Sequence, residues 1–176
     1  MRTFVDRIIR AAKLDVNLYE EVEADVEATR QALAVVVLGS VAAGIGAGRG
    51  SPGGLLIGGV AALGGWVVWA YLIYWIGTRL FPEPQTRATH GELLRTIGFA
   101  SSPGLLRVLG VVPALREIVF LLASVWVLVT TVVAVRQALD YRGTLRALGV
   151  CAVGWVVQLL LVALALYLLR PFAGAA

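Results

Sequence analysis

Long apolar runs separated by short polar stretches dominate the pattern of this chain. Runs without charged residues predict helices at residues 32–48, 54–78, 118–135 and 147–169. A helix of about 20 apolar residues crosses the roughly 30 Å hydrocarbon core of a bilayer. The pattern therefore predicts an all-α fold, a polytopic transmembrane helix bundle over residues 31–176. Residues 1–30 form a separate N-terminal segment.

A fifth apolar run, residues 96–113, is interrupted. It contains Arg107 and is broken at Pro103. At about 1.5 Å per residue, this run is barely long enough to cross a bilayer. We predict about five spans, with the third bent near Pro103. The alternative has four spans, with residues 81–117 kept on one side of the membrane.

The N-terminal segment predicts two short helices. Apolar side chains recur with helical spacing over residues 2–13, opposite a basic face. We predict that this helix lies on an anionic membrane surface; the alternative is packing on the rest of the protein. Asp15 is the predicted N-cap of a second helix, from Val16 to about Glu27. Its carboxylates are those of Glu20, Glu21, Glu23, Asp25 and Glu27. They favour a solvated face, with a metal or a basic partner as alternatives.

Small residues share one face on each helix of the first apolar hairpin, spaced by four on the first helix. Side chains of this size and spacing let two helices approach closely in lipid, where close packing supplies the attraction. We therefore predict tight packing between these two helices, joined by a glycine-rich turn that begins at Gly48. The small residues are Ser40, Gly44, Gly48, Gly54, Gly58 and Gly65.

Composition and charge agree with a membrane location. The 176-residue chain is 59% hydrophobic and only 15% charged, whereas about a quarter of the residues are charged in a soluble domain. The basic residues lie between the apolar runs rather than in one patch, which argues against a nucleic-acid partner. With five spans, most of the basic residues lie on the same side of the membrane as the N-terminus. The positive-inside rule therefore predicts a cytoplasmic N-terminus and a C-terminus outside.

Candidate chemistry is sparse, and we predict no enzyme, no cofactor and no metal site. The four uninterrupted apolar runs contain no carboxylate, and serine-based proteolysis in the membrane would need a base beside the serine. The single Cys151 cannot form a disulfide within the chain. Arg107 is the strongest candidate, because an ionisable group at membrane depth often has a functional role. Glu117 or Gln158 could pair with it. Alternatively, Arg107 extends to the membrane interface or binds a carbonyl freed by Pro103.

The third run resembles an element of the Yip-domain family of small five-span membrane proteins. Gly98, Phe99 and Pro103 are similar to the Gly-Tyr-x-x-x-Pro element of the family, with Phe99 in place of tyrosine. Residues 135–139 likewise resemble the end of the family's fourth span. The glycine-rich first hairpin and the acidic segment before it match the same layout, so the resemblance covers most of the chain.

The resemblance implies a five-helix membrane protein that is not an enzyme. It would act as a scaffold or adaptor that organises lipids and a partner membrane protein or a second copy of itself. Eukaryotic relatives bind Rab-type GTPases, but the Asp-Leu-Tyr-Gly-Pro element that they carry is absent here, since Glu20 follows Leu18-Tyr19. The arginine-rich composition resembles a prokaryotic member of the cytoplasmic membrane.

A second function remains open from the residues. The broken third run could line a path at Pro103 and Arg107, which would make the protein a small transport or conducting module for an ion or a lipid. A conducting path normally needs more polar lining than the spans of this chain offer. The sequence therefore favours the adaptor.

Overall fold

A computed structural model describes the backbone of residues 3–173, and the side chains of residues 3–164 and 167. Seven α-helices occur in this part of the chain: α1 (Phe4–Ala12), α2 (Val16–Ala24), α3 (Ala28–Gly46), α4 (Pro52–Trp75), α5 (His90–Ala100), α6 (Arg116–Ala138) and α7 (Thr144–Ala173). A π-helical turn, Ile76–Leu80, continues α4, and two 3₁₀ segments, Ser102–Val111 and Pro113–Leu115, connect α5 to α6. The predicted all-α bundle is confirmed. The predicted location of the C-terminus concerns residues outside those described.

Four helical stretches in the described residues are long and apolar enough to cross a membrane. They are Ala28–Gly46, Pro52–Leu80, Pro113–Ala138 and Thr144–Leu164. Their outward side chains are apolar and exposed: Ile57, Leu121 and Leu159 are 74%, 63% and 69% exposed. An apolar surface that encircles a bundle is stable against acyl chains and not against water. The chain is therefore an integral membrane protein in contact with the lipid bilayer.

The bundle has two ends, which are defined by different loops. The proximal end carries α2 and the loops 81–89 and 139–143, which meet where the Thr86 hydroxyl donates to the Leu139 carbonyl at 3.0 Å. The distal end carries the α3–α4 turn, residues 47–51, and the segment Pro113–Leu115. Five segments run between these ends: α3, α4, the third pass (α5 with Ser102–Val111), α6 and α7.

The third pass runs alongside α3. Gly98 lies against Ala32, near the beginning of α3, and Gly110 lies beside Gly46, at its end. The pass leaves the α-helical path at the predicted place, because Pro103 has no N–H group for the helical ladder. A 3₁₀ helix rises about 2.0 Å per residue, so the ten residues of Ser102–Val111 cover about 20 Å. Because of this longer rise, the third pass covers a greater distance than an α-helix with the same number of residues would.

Side-chain caps fix where several helices begin. Asp15 accepts from the Asn17 amide at 3.1 Å, which confirms the predicted cap of α2. That helix ends at Ala24, short of the predicted Glu27, because Asp25 adopts an extended backbone. Thr89 and Glu92 form a reciprocal capping box that begins α5. The π-helical turn at the end of α4 is joined to the loop after α6 by the Tyr141 hydroxyl, which is 3.0 Å from the Gly77 carbonyl oxygen.

The tightest backbone contacts differ from those predicted from the small-residue spacing. A Cβ on Gly58 would meet only the Ser40 hydroxyl, at 3.6 Å, and a Cβ on Gly65 would meet nothing within 4 Å. Close packing between α3 and α4 is confined to the distal end, where a Cβ on Gly44 would lie 2.6 Å from Leu55. Elsewhere the small faces of α3 and α4 border a cavity. The close approach is instead between α3 and the third pass, where a Cβ on Gly46 would overlap the carbonyl oxygen of Arg107.

The substitution Gly46→Ala should destabilise the protein, because the new Cβ meets backbone that can move only if the third pass moves. Overpacking of this kind costs about 1–3 kcal/mol, which is measurable as a lower Tm in detergent. Gly64→Ala on α4 is the matched control, since a Cβ there has open space. It should be neutral or slightly stabilising, because alanine favours the helix. Equal Tm values for the two variants would contradict the close approach of α3 and the third pass.

The third pass should carry the chain across the membrane. In a Cys151→Ala background, single cysteines at Arg87, Gly143, Gly50 and Ala114, all exposed, can be tested with an impermeant thiol reagent. Arg87 and Gly143 should label from one side, and Gly50 from the other. Ala114 should label with Gly50, because the third pass runs from the proximal to the distal end. Labelling of Ala114 with Arg87 would instead establish the four-span arrangement.

Candidate functional site

A half-open cavity of about 850 Å³ extends into the bundle and is bordered by all five passes. Its first wall is the small-residue face of α3 and α4, with Ser40, Gly44 and Gly58. Arg107 from the third pass and Gln158 from α7 also border it. The cavity exists because the small faces of α3 and α4 carry no side chains long enough to fill the space between them.

Aromatic and aliphatic side chains close the cavity toward the proximal end. Trp69 and Trp155 border it with nearly parallel rings, their centroids 6.0 Å apart. Trp66 also borders it and is fixed by a 3.1 Å hydrogen bond from its indole N–H to the Leu94 carbonyl. Ile73, on the proximal side of Trp69 along α4, is fully buried. The cavity is therefore a recess in the bundle that ends on a packed core.

Arg107 faces this cavity, and its hydrogen-bonding capacity is only partly used. One terminal N–H donates to the Ser124 hydroxyl at 3.0 Å. The guanidinium carbon lies 6.0 Å from the centre of the Phe120 ring, within range of a cation–π contact. The Nε atom is buried without a hydrogen-bond partner among the described residues. No carboxylate in this part of the chain forms an ion pair with Arg107.

Neither predicted partner of Arg107 is bonded to it. Glu117 lies exposed in the first turn of α6. Gln158 borders the same cavity, but its Oε1 atom is buried without a partner. Ser124 fills the role instead. A lone serine in an apolar run gives no signal from which the sequence could assign this contact.

The residues of the Gly-Phe-x-x-x-Pro element serve to pack the third pass. A Cβ on Gly98 would lie 2.6 Å from the Ala32 Cβ, so glycine is what allows α5 to contact α3. Phe99 is fully buried, and Pro103 is also buried at the beginning of the 3₁₀ segment. The element therefore positions Arg107, four residues further on, and none of its three residues borders the cavity.

The N-terminal segment packs on the bundle, which is the alternative that the sequence left open; its position at a membrane surface stays a prediction. Arg7 and Ala11 of α1 are buried, and the Trp126 indole of α6 donates to the Ala12 carbonyl at 2.8 Å. The Arg7 guanidinium donates to Asp25 at 2.8 Å and to Gln31 at 3.0 Å. These contacts with α2 and α3 hold Arg7, one residue of the basic face, within the protein.

The five predicted carboxylates of residues 20–27 do not form one solvated face. Glu21 and Asp25 pair with arginines of α1, at distances of 2.7 Å to Arg10 and 2.8 Å to Arg7. Glu20 accepts from Gln137 at 3.2 Å. Glu27 is exposed beyond the end of α2, and Glu23 is half-buried. The set is thus divided between ion pairs within the protein and a separate cleft.

This cleft, which we call the proximal cleft, lies between α2, the first turn of α5 and the loop after α6. It has a volume of about 800 Å³. The half-burial of Glu23 raises the pKa of its carboxyl group to about 7, and repulsion from Glu92 and Asp140 adds to the increase. Attraction to Arg95 opposes it. The charged side chains of the cleft are Glu20, Glu23, Glu92, Asp140, Arg136 and Arg142.

Arg95 fixes one wall of the proximal cleft and was not predicted from the sequence. It is only 7% exposed, and its Nε–H donates to the Val22 carbonyl at 2.9 Å. A second N–H donates to the Glu23 carbonyl. These bonds satisfy two carbonyl groups at the C-terminal end of α2, which a helix leaves without partners of its own. In the sequence Arg95 resembles a solvated residue of an amphipathic helix.

Four long apolar helices around an irregular third pass define a polytopic α-helical membrane protein. The Yip1 domain family matches residues 19–166, and the chain belongs to this family. The matched region runs from α2 into α7, so it contains both the cavity and the proximal cleft. Neither a curated protein nor a solved structure matches the chain. The resemblance drawn from the motifs is confirmed.

The raised pKa of Glu23 predicts a pH-dependent stability. The folded state favours the protonated carboxyl group of Glu23. The contribution of this group to the free energy of unfolding is therefore fully present below its ordinary pKa of 4.5 and is lost as the pH rises to about 7. Glu23→Gln has no charge to bury, so this loss does not occur. Above pH 7 its free energy of unfolding should exceed that of the wild type by on the order of 1 kcal/mol, after allowance for partial exposure. Chemical denaturation in detergent from pH 4 to 8 measures the difference. Glu27→Gln should retain the wild-type profile; a common profile for all three proteins would contradict the assignment.

Proposed function

We propose that the protein is a non-enzymatic adaptor of a prokaryotic cytoplasmic membrane, which binds a partner membrane protein or a second copy of itself at the proximal cleft. The observation that carries this proposal is the attachment of α2 to the bundle through Arg95. The N-terminal segment is a folded wall of the bundle and not a loose tail. A surface that is already ordered loses little conformational freedom on binding.

The chemistry of the cleft favours a basic partner segment. Burial is the main cause of the raised pKa of Glu23, and repulsion from Glu92 and Asp140 adds to it. An arginine or lysine side chain placed in the cleft would relieve this repulsion. Complementary charge of this kind increases the specificity and the rate of association more than it increases the affinity.

The positive-inside rule supports a cytoplasmic position for the proximal end. Exposed arginines next to the ends of the apolar helices lie on this side: Arg30 precedes the apolar part of α3, Arg79 ends α4 and Arg142 precedes α7. Basic residues close to the ends of membrane spans are retained on the cytoplasmic side. The N-terminal segment and the proximal cleft would then both meet cytoplasmic or membrane-bound partners.

The alternative function is transport or conduction of an ion or a lipid. The cavity with Arg107 favours it, because a transported molecule needs a site at membrane depth. Fully buried Val35, Ile73 and Leu93 fill the bundle between this cavity and the proximal end. A path through the protein would require this core to open, so the adaptor is the better supported function. Movement of an ion or a lipid by the purified protein in liposomes would favour the alternative.

The adaptor role can be tested by chemical cross-linking in native membranes, followed by purification of the tagged full chain. A stoichiometric partner, or a dimer of this chain, is expected. Glu20→Lys should reduce its yield at least several-fold, because Glu20 borders the cleft. Glu27→Lys makes the same charge change on an exposed residue outside the cleft and should retain the partner. A wild-type protein without a stoichiometric partner, or equal yields from both variants, would overturn the proposal.

A further inference from the structure

The interior cavity contains polar groups that the protein leaves without partners. The Nε–H of Arg107 and the Oε1 atom of Gln158 are both buried and both lack a hydrogen bond among the described residues. They come from different passes and border the same cavity. A buried polar atom without a partner is uncommon in a folded protein, and two at one cavity indicate that something else bonds them.

The charge of Arg107 is also uncompensated. Its one hydrogen bond to a side chain is to neutral Ser124, and the contact with Phe120 offers only the face of an aromatic ring. An arginine at membrane depth is normally paired or extended to an interface. Arg116, at the distal end, differs in that its Nε–H donates to the Gly110 carbonyl at 3.2 Å. Arg107 instead keeps its guanidinium beside the cavity.

The remaining lining of the cavity suits an acyl chain. Gly44 and Gly58 give a smooth wall on one side, and the rings of Trp69 and Trp155 give an apolar wall on another. The volume of about 850 Å³ is within the range of about 300–1,000 Å³ for a small-molecule site. Such a site is mostly apolar with a few polar groups that orient the ligand, and this cavity has that composition.

We propose that the cavity binds an anionic amphiphile, whose acid group pairs with the Arg107 guanidinium and whose acyl chain lies between the α3–α4 small faces and the two tryptophans. The acid group is a carboxylate or a phosphate, both of which accept from a guanidinium. The Gln158 Oε1 atom can accept a hydrogen bond from a headgroup hydroxyl. The source is a free fatty acid or an anionic phospholipid with one chain inserted. This site does not depend on the adaptor role, since it lies away from the proximal cleft.

Binding can be measured on the full chain, purified in detergent and stripped of lipid, by native mass spectrometry and by the shift in Tm. The probes are oleate, phosphatidylglycerol, and neutral monoolein, which carries the same acyl chain as oleate. Oleate or phosphatidylglycerol should bind one per chain and raise the Tm, whereas monoolein should bind at least tenfold more weakly. Binding of oleate alone identifies a fatty acid as the source, and binding of phosphatidylglycerol identifies a phospholipid. Equal binding of monoolein, or no binding of either anionic probe, would overturn the proposal.

Two kinds of variant separate the charge from the space. Arg107→Gln keeps a polar amide but has no charge, and should weaken binding of the anionic probe at least tenfold, while Arg107→Lys should restore part of it. Arg116→Gln removes an arginine outside the cavity and should bind as the wild type does. Gly58→Leu fills the cavity with Arg107 in place, and should abolish binding even if the Arg107 variants fail to fold. Wild-type binding by Gly58→Leu, or by a folded Arg107→Gln, would contradict the site.

Discussion

The contact between Gly46 and the Arg107 carbonyl is the interaction on which the rest of the bundle depends. The segment Ser102–Val111 is not α-helical, and irregular backbone at membrane depth is tolerated only where protein surrounds it. The segment packs against both α3 and α6, and these two helices surround it. The path is possible only because Gly46 has no side chain where the third pass meets the end of α3. The position of Arg107, and therefore the cavity, follows from this contact.

The two halves of the bundle are built differently. Toward the proximal end, large side chains such as Tyr19, Phe99 and Leu139 are fully buried, and α2 closes the surface. Toward the distal end, small residues face the interior, and the long apolar side chains face outward. This division gives the protein a rigid surface at one end and an interior recess at the other. A partner protein and a small ligand would therefore occupy separate regions of the chain.

The four long apolar helices could be predicted because an uncharged apolar run has one stable form in a bilayer, the helix. Pro103 likewise marked the end of α5, but it did not specify the 3₁₀ path that follows. The contacts of Arg7 and Arg95 could not be predicted, because their partners lie far along the chain; Arg95 reaches Val22, 73 residues away. The cavity was misread as tight packing between α3 and α4. The spacing of Gly58 and Gly65 shows that they share one face of α4, but it does not identify which element, if any, packs against that face.

The hydrogen bond from the Thr130 hydroxyl to the Ala100 carbonyl, 2.6 Å long, joins α6 to the point where the third pass leaves the α-helix. During synthesis, the third pass emerges from the ribosome before α6 exists. Its irregular backbone then lacks one of the two walls that shield it from lipid. The third pass is therefore shielded on both sides only after α6 has packed against it. Its fold depends on a helix that follows it in the sequence.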